Sequence, residues 1–303
     1  MTSRAAQYAR YGGPEVLEIV EREDPQPGPG QVRLAVRAAG VNPADWKLRT
    51  GAFNPGDDAP ERPVVPGFDV AGTVEALGEG VTTLAEGDEV LGGTRGGAQA
   101  ERALADADAL VAKPAALSWE VAGSLATVVS TAYRVLERLG VSPGQVLLVH
   151  GASGGVGIVA TQVALARGIT VIGSAGERHQ DDVRALGATP VVHGDGLVDG
   201  VRAVTDRVDA VFDAAGRGSL ADLVALAGGP DRVVTIAHPD AAEHGVEFSS
   251  GGGVDGALAE FVGQLAAGTF RAPEVVVYPL EEVGKAQEDN RTGAVSGKLV
   301  VIP

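Results

Sequence analysis

The chain contains no cysteine among its 303 residues. This absence excludes disulfide bonds, thiolate ligands to a metal and a cysteine nucleophile. The five histidines show neither the spacing of a metal site nor a nucleophile partner, and the stretch "GASGG" departs from the Gly-x-Ser-x-Gly elbow of hydrolases. We therefore expect neither a metal centre nor a triad hydrolase.

Positive charge and long apolar runs are also scarce. The 24 Lys and Arg residues face 40 Asp and Glu residues, and the formal net charge of -16 argues against nucleic acid or anionic membrane as a partner. No apolar run reaches the roughly 20 residues that a membrane span needs. The start, "MTSRAAQYARYGGPEVLEIV", lacks the apolar core of a secretory signal. The sequence thus predicts a cytoplasmic protein.

Two stretches at opposite ends of the chain have the pattern of short β-strands. Within residues 1–118, "VRLAVRAAGV" alternates, and "PVVPGFDVAGTVEALG" and "GDEVLGG" are apolar runs broken by Gly and Pro, which is typical of a barrel-like sheet. A helical stretch, "SWEVAGSLATVVSTAYRVLERLG", follows. Residues 274–303 return to strands and are too few to fold alone. We predict one discontinuous domain, 1–118 with 274–303, and a second domain at 119–273.

The middle of the chain alternates buried strands with helices. The predicted strands are "QVLLVH", "ITVIGSA", "ATPVVHG", "RVDAVFDAAG" and "DRVVTIA", with helical segments such as "VGIVATQVALARG" between them. Continuous Val and Ile runs that alternate with helices indicate a parallel sheet covered on both faces. The predicted fold class is α/β, with a doubly wound sheet beside a smaller β-domain.

A glycine-rich turn joins the first of these strands to its helix, in the stretch "VHGASGGVGIVATQVALARG". The glycines Gly151, Gly154 and Gly157 stand three apart. They permit a tight turn, a close approach of backbone to a diphosphate, and close packing of the helix on the sheet. The alternative is a tight turn without a ligand. The predicted dinucleotide contacts are Gly151, Ala152, Ser153, Gly154, Gly155, Val156 and Gly157.

The end of the second strand bears on which dinucleotide binds. NAD sites usually carry an acid there for the ribose 2′-OH. Here Ser174 occupies the region, with Arg178 and His179 behind it, and a hydroxyl and a guanidinium can bind a 2′-phosphate. Glu177 weakens this argument, and Arg178 has the alternative of a solvated residue at a helix start. We expect NADPH to be preferred over NADH.

Several stretches in order along the chain resemble one known family. They are "GPEVLEI", "AAGVNPADWKLRTG", "PVVPGFDVAGTVEALGEGV", "GDEV", "TAYRVL", "GASGGVG", "ALGA" and "SGKLVV". The chain resembles the zinc-free, ζ-crystallin-like quinone oxidoreductases of the medium-chain dehydrogenase/reductase superfamily. The resemblance implies a GroES-like β-barrel domain, a Rossmann domain, bound NADP(H), and a homodimer joined through the Rossmann sheet edge.

The same resemblance bears on zinc and on the substrate. Zinc members of the superfamily carry a catalytic Cys where this chain has Asn42 and a ligand His where it has Phe68, and their four-cysteine lobe is absent here. We therefore expect no metal. What remains is direct hydride delivery from NADPH to an acceptor that needs little activation, such as a quinone or an α,β-unsaturated carbonyl.

Candidate site residues follow from the family's motifs. The resemblance places the loop that carries Asn42, Asp45 and Lys47 over the nicotinamide. Lys47 can donate a hydrogen bond to the substrate carbonyl or to the ribose, and Asn42 can hold either. The alternatives are an Asp45–Lys47 surface pair and a turn-forming Asn before Pro43.

Two threonines and one alanine complete the predicted set. Thr127 and Thr131 stand four apart on a helix and share a face. The family's "TAY" threonine contacts the nicotinamide, which favours Thr131, whose alternative is a hydrogen bond to its own helical turn. The backbone of Ala237 is expected to line the nicotinamide pocket.

The chain also departs from the family. A common Ser is replaced by Gly176, a Tyr that helps to hold the 2′-phosphate is missing near Gly194, and Gln99 stands near a common aromatic position. The leading hypothesis is an NADPH-dependent reductase of quinones or activated alkenes. A pathway-specific enoyl or ketone reductase and a non-catalytic NADPH-binding redox sensor are the alternatives.

Overall fold

The computed structural model describes residues 1–54, 56, 58–295 and 297–303. These residues form two compact units: the first comprises Met1–Thr127 and Leu258–Pro303, and the second comprises Val128–Ala257. The first unit is thus made of two chain segments. The boundaries between the units lie after residues 127 and 257, and the domain boundaries predicted from the sequence were after residues 118 and 273.

The helices and strands are numbered here in chain order. They are β1 (Thr2–Gln7), β2 (Glu18–Glu23), β3 (Gln31–Val41), α1 (Pro43–Arg49), β4 (Asp69–Leu77), β5 (Glu89–Gly93), β6 (Arg102–Asp106), β7 (Leu110–Ala112), α2 (Trp119–Ala122), α3 (Ala126–Leu139), β8 (Val146–His150), α4 (Gly155–Ala166), β9 (Thr170–Ala175), α5 (Gln180–Ala185), β10 (Thr189–Val192), α6 (Leu197–Val204), β11 (Ala210–Asp213), α7 (Leu220–Ala227), β12 (Val233–Thr235), β13 (Glu247–Phe248), α8 (Ala257–Ala266), β14 (Val275–Pro279), α9 (Val283–Thr292) and β15 (Lys298–Ile302). None of the helices described is long and apolar enough to cross a membrane.

A mixed sheet forms the body of the first unit. Its strand order is β14-β15-β3-β4-β5-β7, with β6 paired to β3, and β1 and β2 form a separate hairpin-like pair. Strand β3 alternates buried residues with half-exposed or exposed ones until its last four positions, which are all buried. The C-terminal strand β15 pairs with that buried end, Leu299 opposite Val41. This pairing brings the end of the chain to the point where α1 begins.

The second unit is a parallel sheet with the order β10-β9-β8-β11-β12-β13. Counted along the chain from β8, this is the order 3-2-1-4-5-6 of a doubly wound Rossmann sheet. The predicted strands are confirmed, and most of their Val and Ile residues are buried, as expected of a parallel sheet covered by helices, whereas Val192 in the edge strand β10 is 43% exposed. The short edge strand β13 is an addition that the sequence did not predict.

The helix predicted across residues 118–140 is two helices. Helix α2 begins after Ser118, whose side chain accepts a hydrogen bond from the N–H of Val121, 3.3 Å away. It ends at Gly123, where a Cβ would lie 2.7 Å from the carbonyl oxygen of Ala38 in β3. The backbones of the two elements approach so closely that only glycine fits at position 123, and the chain resumes as a helix at Ala126, the start of α3.

Candidate functional site

The turn between β8 and α4 needs glycine at two positions for different reasons. Gly151 has a φ of +91°, a left-handed conformation that L side chains rarely adopt. A Cβ on Gly157 would lie 2.1 Å from the carbonyl oxygen of Gly151, so this residue is what allows α4 to pack against the turn. Ala152 is buried with Gly157 inside the turn, while Ser153, Gly155 and Val156 are half-buried.

Gly154 differs from both, because it is exposed and has room for a side chain. A Cβ there would meet only the carbonyl oxygen of Gly151, at 3.4 Å, and its φ is −79°. It is the N-terminal cap of α4, and the N–H groups of the next three residues have no partner within the helix. Open space beside unpaired N–H groups and the positive end of a helix dipole fits a diphosphate.

This turn lies where the strand order of the sheet reverses, between β8 and β11. Ligands of doubly wound sheets bind at such a point, outside the carboxyl ends of the strands. At the end of β11, Asp213 accepts hydrogen bonds from the N–H groups of Ala215 and Gly216, both at 3.0 Å. Its carboxylate therefore shapes the loop that runs beside the glycine turn, as a capping residue does.

His150 and Ser174 join the ends of β8 and β9. The His150 Nε2 lies 3.0 Å from the carbonyl oxygen of Arg217, and its Nδ1 lies 2.6 Å from the Ser174 Oγ. A carbonyl only accepts, so Nε2 carries the proton and Nδ1 accepts from the Ser174 hydroxyl. Burial lowers the pKa of His150 below its ordinary value, in keeping with a neutral ring.

This pairing determines what Ser174 can do. The residue is fully buried, its hydroxyl donates to His150, and its Oγ also accepts from the N–H of Gly151, 3.2 Å away. The hydroxyl that the sequence offers to a 2′-phosphate is thus engaged within the protein, where it holds the glycine turn against β9.

Arg178 and His179 lie just beyond the end of β9. The Arg178 Nε donates to the His179 Nε2 at 3.0 Å, and the His179 Nδ1 lies 2.8 Å from a carboxylate oxygen of Asp182. Arg178 is exposed and His179 is half-buried. These two side chains therefore remain the members of the predicted 2′-phosphate set that reach the surface.

Ala237 follows β12 in a tight polar turn. The Thr235 Oγ1 donates to Asp213 at 2.6 Å and accepts from the N–H groups of Ala237 and His238, at 3.1 Å and 3.0 Å. The N–H of Ala237 is therefore engaged by its own turn. Its carbonyl is the backbone group left to line a ligand pocket.

In the first unit, Asn42 and Asp45 lie together at the start of α1. One Asp45 carboxylate oxygen accepts from the N–H of Asn42 at 2.7 Å, and the other accepts from the N–H of Gly67 at 2.9 Å. Asp45 is 1% exposed. Burial raises the pKa of its carboxyl group to about 7, against the opposing effect of the two N–H bonds. The buried Asp45 side chain thus connects the start of α1 to the loop that contains Gly67 through two hydrogen bonds.

Lys47 lies two residues on and is separate from this pair. Lys47 is half-buried. Among the described residues, its ammonium contacts the Trp46 ring, with the nitrogen 5.6 Å from the ring centroid. The surface pair with Asp45 that the sequence allowed does not form, because Asp45 is turned inward. The Lys47 ammonium is thus available to a ligand.

The buried carboxylate of Asp69 is hydrogen-bonded to both Thr127 and Asn42. An oxygen of Asp69 accepts from both the N–H of Thr127, at 2.8 Å, and the Thr127 hydroxyl. The other Asp69 oxygen accepts from the Asn42 Nδ2 at 3.0 Å and lies 3.4 Å from the Lys298 ammonium. Thr131, one turn further along α3, is 8% exposed. Two predicted site residues, Asn42 and Thr127, are therefore connected through Asp69 and Lys298, which no motif in the sequence indicated.

A signal for the missed residues exists in the sequence. Asp69 is an acid inside the apolar run "VVPGFDVAGTV", and Lys298 is a cation at the head of "KLVVI". A charged residue in a buried strand is almost always paired. His150 is likewise an ionisable residue at the end of an apolar strand, "VLLVH".

Gln99, which the sequence analysis places near the substrate pocket, belongs to a row of hydrogen-bonded side chains that ends in α1. Its side-chain oxygen accepts from the Gln287 amide at 3.1 Å, and the Gln287 oxygen accepts from the Arg49 Nε at 2.8 Å. All three side chains are buried. Gln99 therefore connects its loop to α9 and, through α9, to α1.

Comparisons with known proteins agree with this arrangement. The profile of the alcohol dehydrogenase GroES-like domain matches residues 28–138, and that of the zinc-binding dehydrogenase matches residues 155–256. The quinone oxidoreductase of the pig, Sus scrofa, is 33% identical over an alignment that covers 97% of this chain and 95% of that protein. The chain belongs to the quinone oxidoreductase family.

Solved structures extend the family likeness to the fold. A quinone oxidoreductase from Coxiella burnetii superposes with a TM-score of 0.87 at 28% identity, over all of both chains. A mycobacterial protein complexed with NADPH superposes with a TM-score of 0.85 at 27% identity, over 99% of this chain and 100% of that one. The predicted GroES-like and Rossmann domains of this quinone oxidoreductase family member are thereby confirmed.

The name of the second profile raises the question whether the residues present fit a zinc ion. At the positions that the family's motifs give to zinc ligands, Phe68 has no donor atom, and the Asn42 oxygen already accepts from the Lys298 ammonium. Within the described residues no three His, Cys, Asp or Glu side chains are grouped to hold a metal. A cation beside the ammonium would also be repelled. The donor set does not fit zinc.

Proposed function

We propose that this protein is an NADPH-dependent oxidoreductase that reduces quinones or α,β-unsaturated carbonyls by direct hydride transfer, without a metal. The observation that carries the proposal is the glycine turn at the strand-order reversal of the second unit. Exposed space at Gly154, unpaired N–H groups and a helix N-terminus together suit a diphosphate. The quinone oxidoreductase relatives supply the reaction class.

The side chains beyond β9 support NADPH as the cofactor. Arg178 is an exposed guanidinium near the position where NAD enzymes carry an acid, and His179 lies in contact with it. A guanidinium binds a phosphate through paired, charge-assisted hydrogen bonds. The mycobacterial structural neighbour is itself a complex with NADPH.

Bound NADPH would supply the hydride. The residues of this chain have to bind and orient the substrate and stabilise the negative charge that develops on it. Lys47 is the proposed donor to the oxygen on which negative charge develops, because the residue is half-buried and the contact of its ammonium with a ring leaves the three N–H hydrogens available. Conjugation in a quinone or enone spreads that charge, so a single donor suffices. The proton that completes the reduction then comes from the Lys47 ammonium or from water. No step runs through a zinc ion.

We also propose that the protein is a cytoplasmic homodimer. One edge of the second unit's sheet is β13, whose Phe248 is 44% exposed. An exposed apolar residue on an unpaired strand edge favours pairing with a second copy.

The experiment that tests the function is NADPH oxidation in the presence of a quinone, and separately of an enone. We expect turnover with at least one acceptor, together with saturable NADPH binding. Binding without turnover on either acceptor would instead favour a redox sensor. The absence of NADPH binding would overturn the proposal altogether.

Arg178→Ala is expected to weaken NADPH binding about tenfold and to leave NADH binding nearly unchanged, because only NADPH carries the 2′-phosphate. Titration of both nucleotides against the variant and the unmodified protein measures the ratio. Arg184→Ala is a matched control, since Arg184 is an exposed arginine of the same region that pairs with Asp181. Equal losses for the two nucleotides would contradict the assignment of Arg178.

A further inference from the structure

One histidine lies at the strand end where the ribose of the cofactor is expected in the second unit. Strands β9 and β10 are parallel neighbours with Val192 opposite Ala175, so His193 and Gly176, the next residue of each chain segment, are adjacent. The N–H of His193 donates to the carbonyl oxygen of Ala175 at 3.1 Å and holds this residue against the end of β9. Dinucleotide-binding sheets recognise the 2′ position of the ribose at the end of their second strand, which is β9 here.

The His193 ring lies over the backbone of Gly176. A Cβ on that glycine would be 3.4 Å from the His193 Nε2, which is the one atom it would meet within 4 Å among the described residues. The backbone of Gly176, with φ −63° and ψ 158°, suits any L residue, so its conformation does not require glycine. The missing side chain therefore leaves the ring nitrogen uncovered, two residues before Arg178.

His193 differs from the other four histidines, which also lie in the second unit. Both ring nitrogens of His150, His179 and His238 have polar partners within the protein. The Nε2 of His244 lies 3.6 Å from a carboxylate oxygen. His193 is exposed, and within the described part of the chain its ring has neither a hydrogen bond nor an ion pair. Both of its nitrogens are therefore available to a ligand.

The charged groups around His193 are exposed, apart from the half-buried His179. On the elements next to the ends of β9 and β10 they are Glu177, Arg178 and His179 of the turn after β9, Asp181, Asp182 and Arg184 of α5, Asp195 of the loop after β10, and Asp199 and Arg202 of α6. Their exposure means that solvent and salt screen their effect on a bound phosphate. His150 at the end of β8 adds no charge, because burial lowers its pKa, with a smaller lowering from His193.

The two forms of an imidazole treat a phosphate and a hydroxyl differently. A phosphate monoester carries about −1.5 to −2 charges at neutral pH, together with three acceptor oxygens. The protonated ring donates to it from either nitrogen with a charge-assisted hydrogen bond, whereas the neutral ring keeps one donor and one acceptor. A ribose hydroxyl both donates and accepts, so it suits either form. Protonation of a histidine therefore favours the nucleotide that carries the 2′-phosphate, and histidine ordinarily changes charge between pH 5 and pH 8.

We propose that His193 is a ligand of the ribose 2′-phosphate and that its charge makes the preference for NADPH over NADH depend on pH, stronger in mildly acidic than in mildly alkaline solution. The proposal rests on the proposed function, which makes this protein bind NADPH at the end of β9. The Arg178 guanidinium keeps its charge throughout this range and supplies the constant part of the preference. His193 supplies the part that varies.

The test measures the dissociation constants of NADPH and NADH at pH 6.5 and at pH 8.5 by equilibrium titration. In the unmodified protein the ratio of the two constants is expected to favour NADPH about fourfold more at pH 6.5, because the protonated ring adds a charge-assisted hydrogen bond. Both pH values lie above the second pKa of a phosphate monoester, at about 6, so the phosphate remains mainly dianionic. The ratio cancels any effect of pH that the two nucleotides share. An equal ratio at the two pH values would overturn the proposal.

Four variants assign the pH dependence to one residue. His193→Gln is expected to give the same ratio at both pH values, and His193→Lys, which is charged at both, the stronger preference throughout. Because His193 is exposed, neither change disturbs the core. His244→Gln is the matched control, an exposed histidine of the same unit, and is expected to keep the pH dependence. A pH dependence that persists in His193→Gln and disappears in His179→Gln would belong to His179 and overturn the proposal.

The same titrations distinguish this proposal from the proposed function. NADPH binding and turnover by the unmodified protein, with a nucleotide preference that does not change with pH, would remove His193 from the site and leave the proposed function intact. A failure of the unmodified protein to bind NADPH at either pH would overturn both.

Discussion

Gly157→Ala is expected to destabilise the second unit by about 3 kcal/mol or more, because a Cβ there would lie 2.1 Å from the Gly151 carbonyl oxygen and 2.7 Å from the Ala152 Cα. Both obstacles are backbone atoms, which cannot rotate away. Either α4 moves off the turn or the turn unfolds. Thermal unfolding followed by circular dichroism, with limited proteolysis of the second unit, measures the loss.

Gly154→Ala is the matched control, three residues earlier in the same turn. Its Cβ would be 3.4 Å from its nearest neighbour, and its φ of −79° suits alanine, so stability is expected to change by no more than about 1 kcal/mol. NADPH binding is nevertheless expected to weaken tenfold or more, because the methyl group occupies the space in which the diphosphate has to approach the backbone closely. Loss of binding without loss of stability would be the signature of a ligand cradle. Unchanged NADPH affinity in Gly154→Ala would mean that the diphosphate does not rest on this turn.

The parts of the fold that depend on local sequence pattern could be predicted. Buried Val and Ile runs between helices predicted the parallel sheet, and the spacing of Gly151, Gly154 and Gly157 predicted a tight turn before α4. Strand and helix periods are properties of neighbouring residues, so a single sequence reveals them. The need for glycine at position 123 could not be predicted in this way, because it arises from the carbonyl of Ala38 in β3, which is far away along the chain.

The candidate site was predicted only in part, for the same physical reason. Asn42 was named from a family motif and Thr127 from its helical spacing to Thr131. The residues that connect them, Asp69 and Lys298, are brought together by pairing of strands that are far apart in the chain. Ser174 lies near the end of β9, but its hydroxyl faces His150, which no local pattern indicates. Residue type indicates which chemistry is available, while long-range pairing decides which atoms are left to perform it.

Asp45→Asn is expected to remove a pH dependence from the stability of the first unit. Burial raises the folded-state pKa of Asp45 to about 7, above its ordinary 3.8. Between these values the folded protein holds a proton that the unfolded chain releases, so the free energy of unfolding falls as pH rises through this window. For one such group the fall between pH 5 and pH 8 is about 2–3 kcal/mol. Urea unfolding at the two pH values, for both proteins, measures it.

Tryptophan fluorescence is the appropriate signal, because both tryptophans of the chain, Trp46 and Trp119, lie in the first unit. The amide that replaces the carboxylate in Asp45→Asn would lose one of the two N–H bonds that the carboxylate accepts, and this cost is the same at both pH values. The comparison therefore uses the change with pH and not the stability itself. The unmodified protein should lose about 2–3 kcal/mol more than the variant between pH 5 and pH 8. An equal loss in both would mean that the two N–H bonds outweigh burial and keep Asp45 ionised throughout this range.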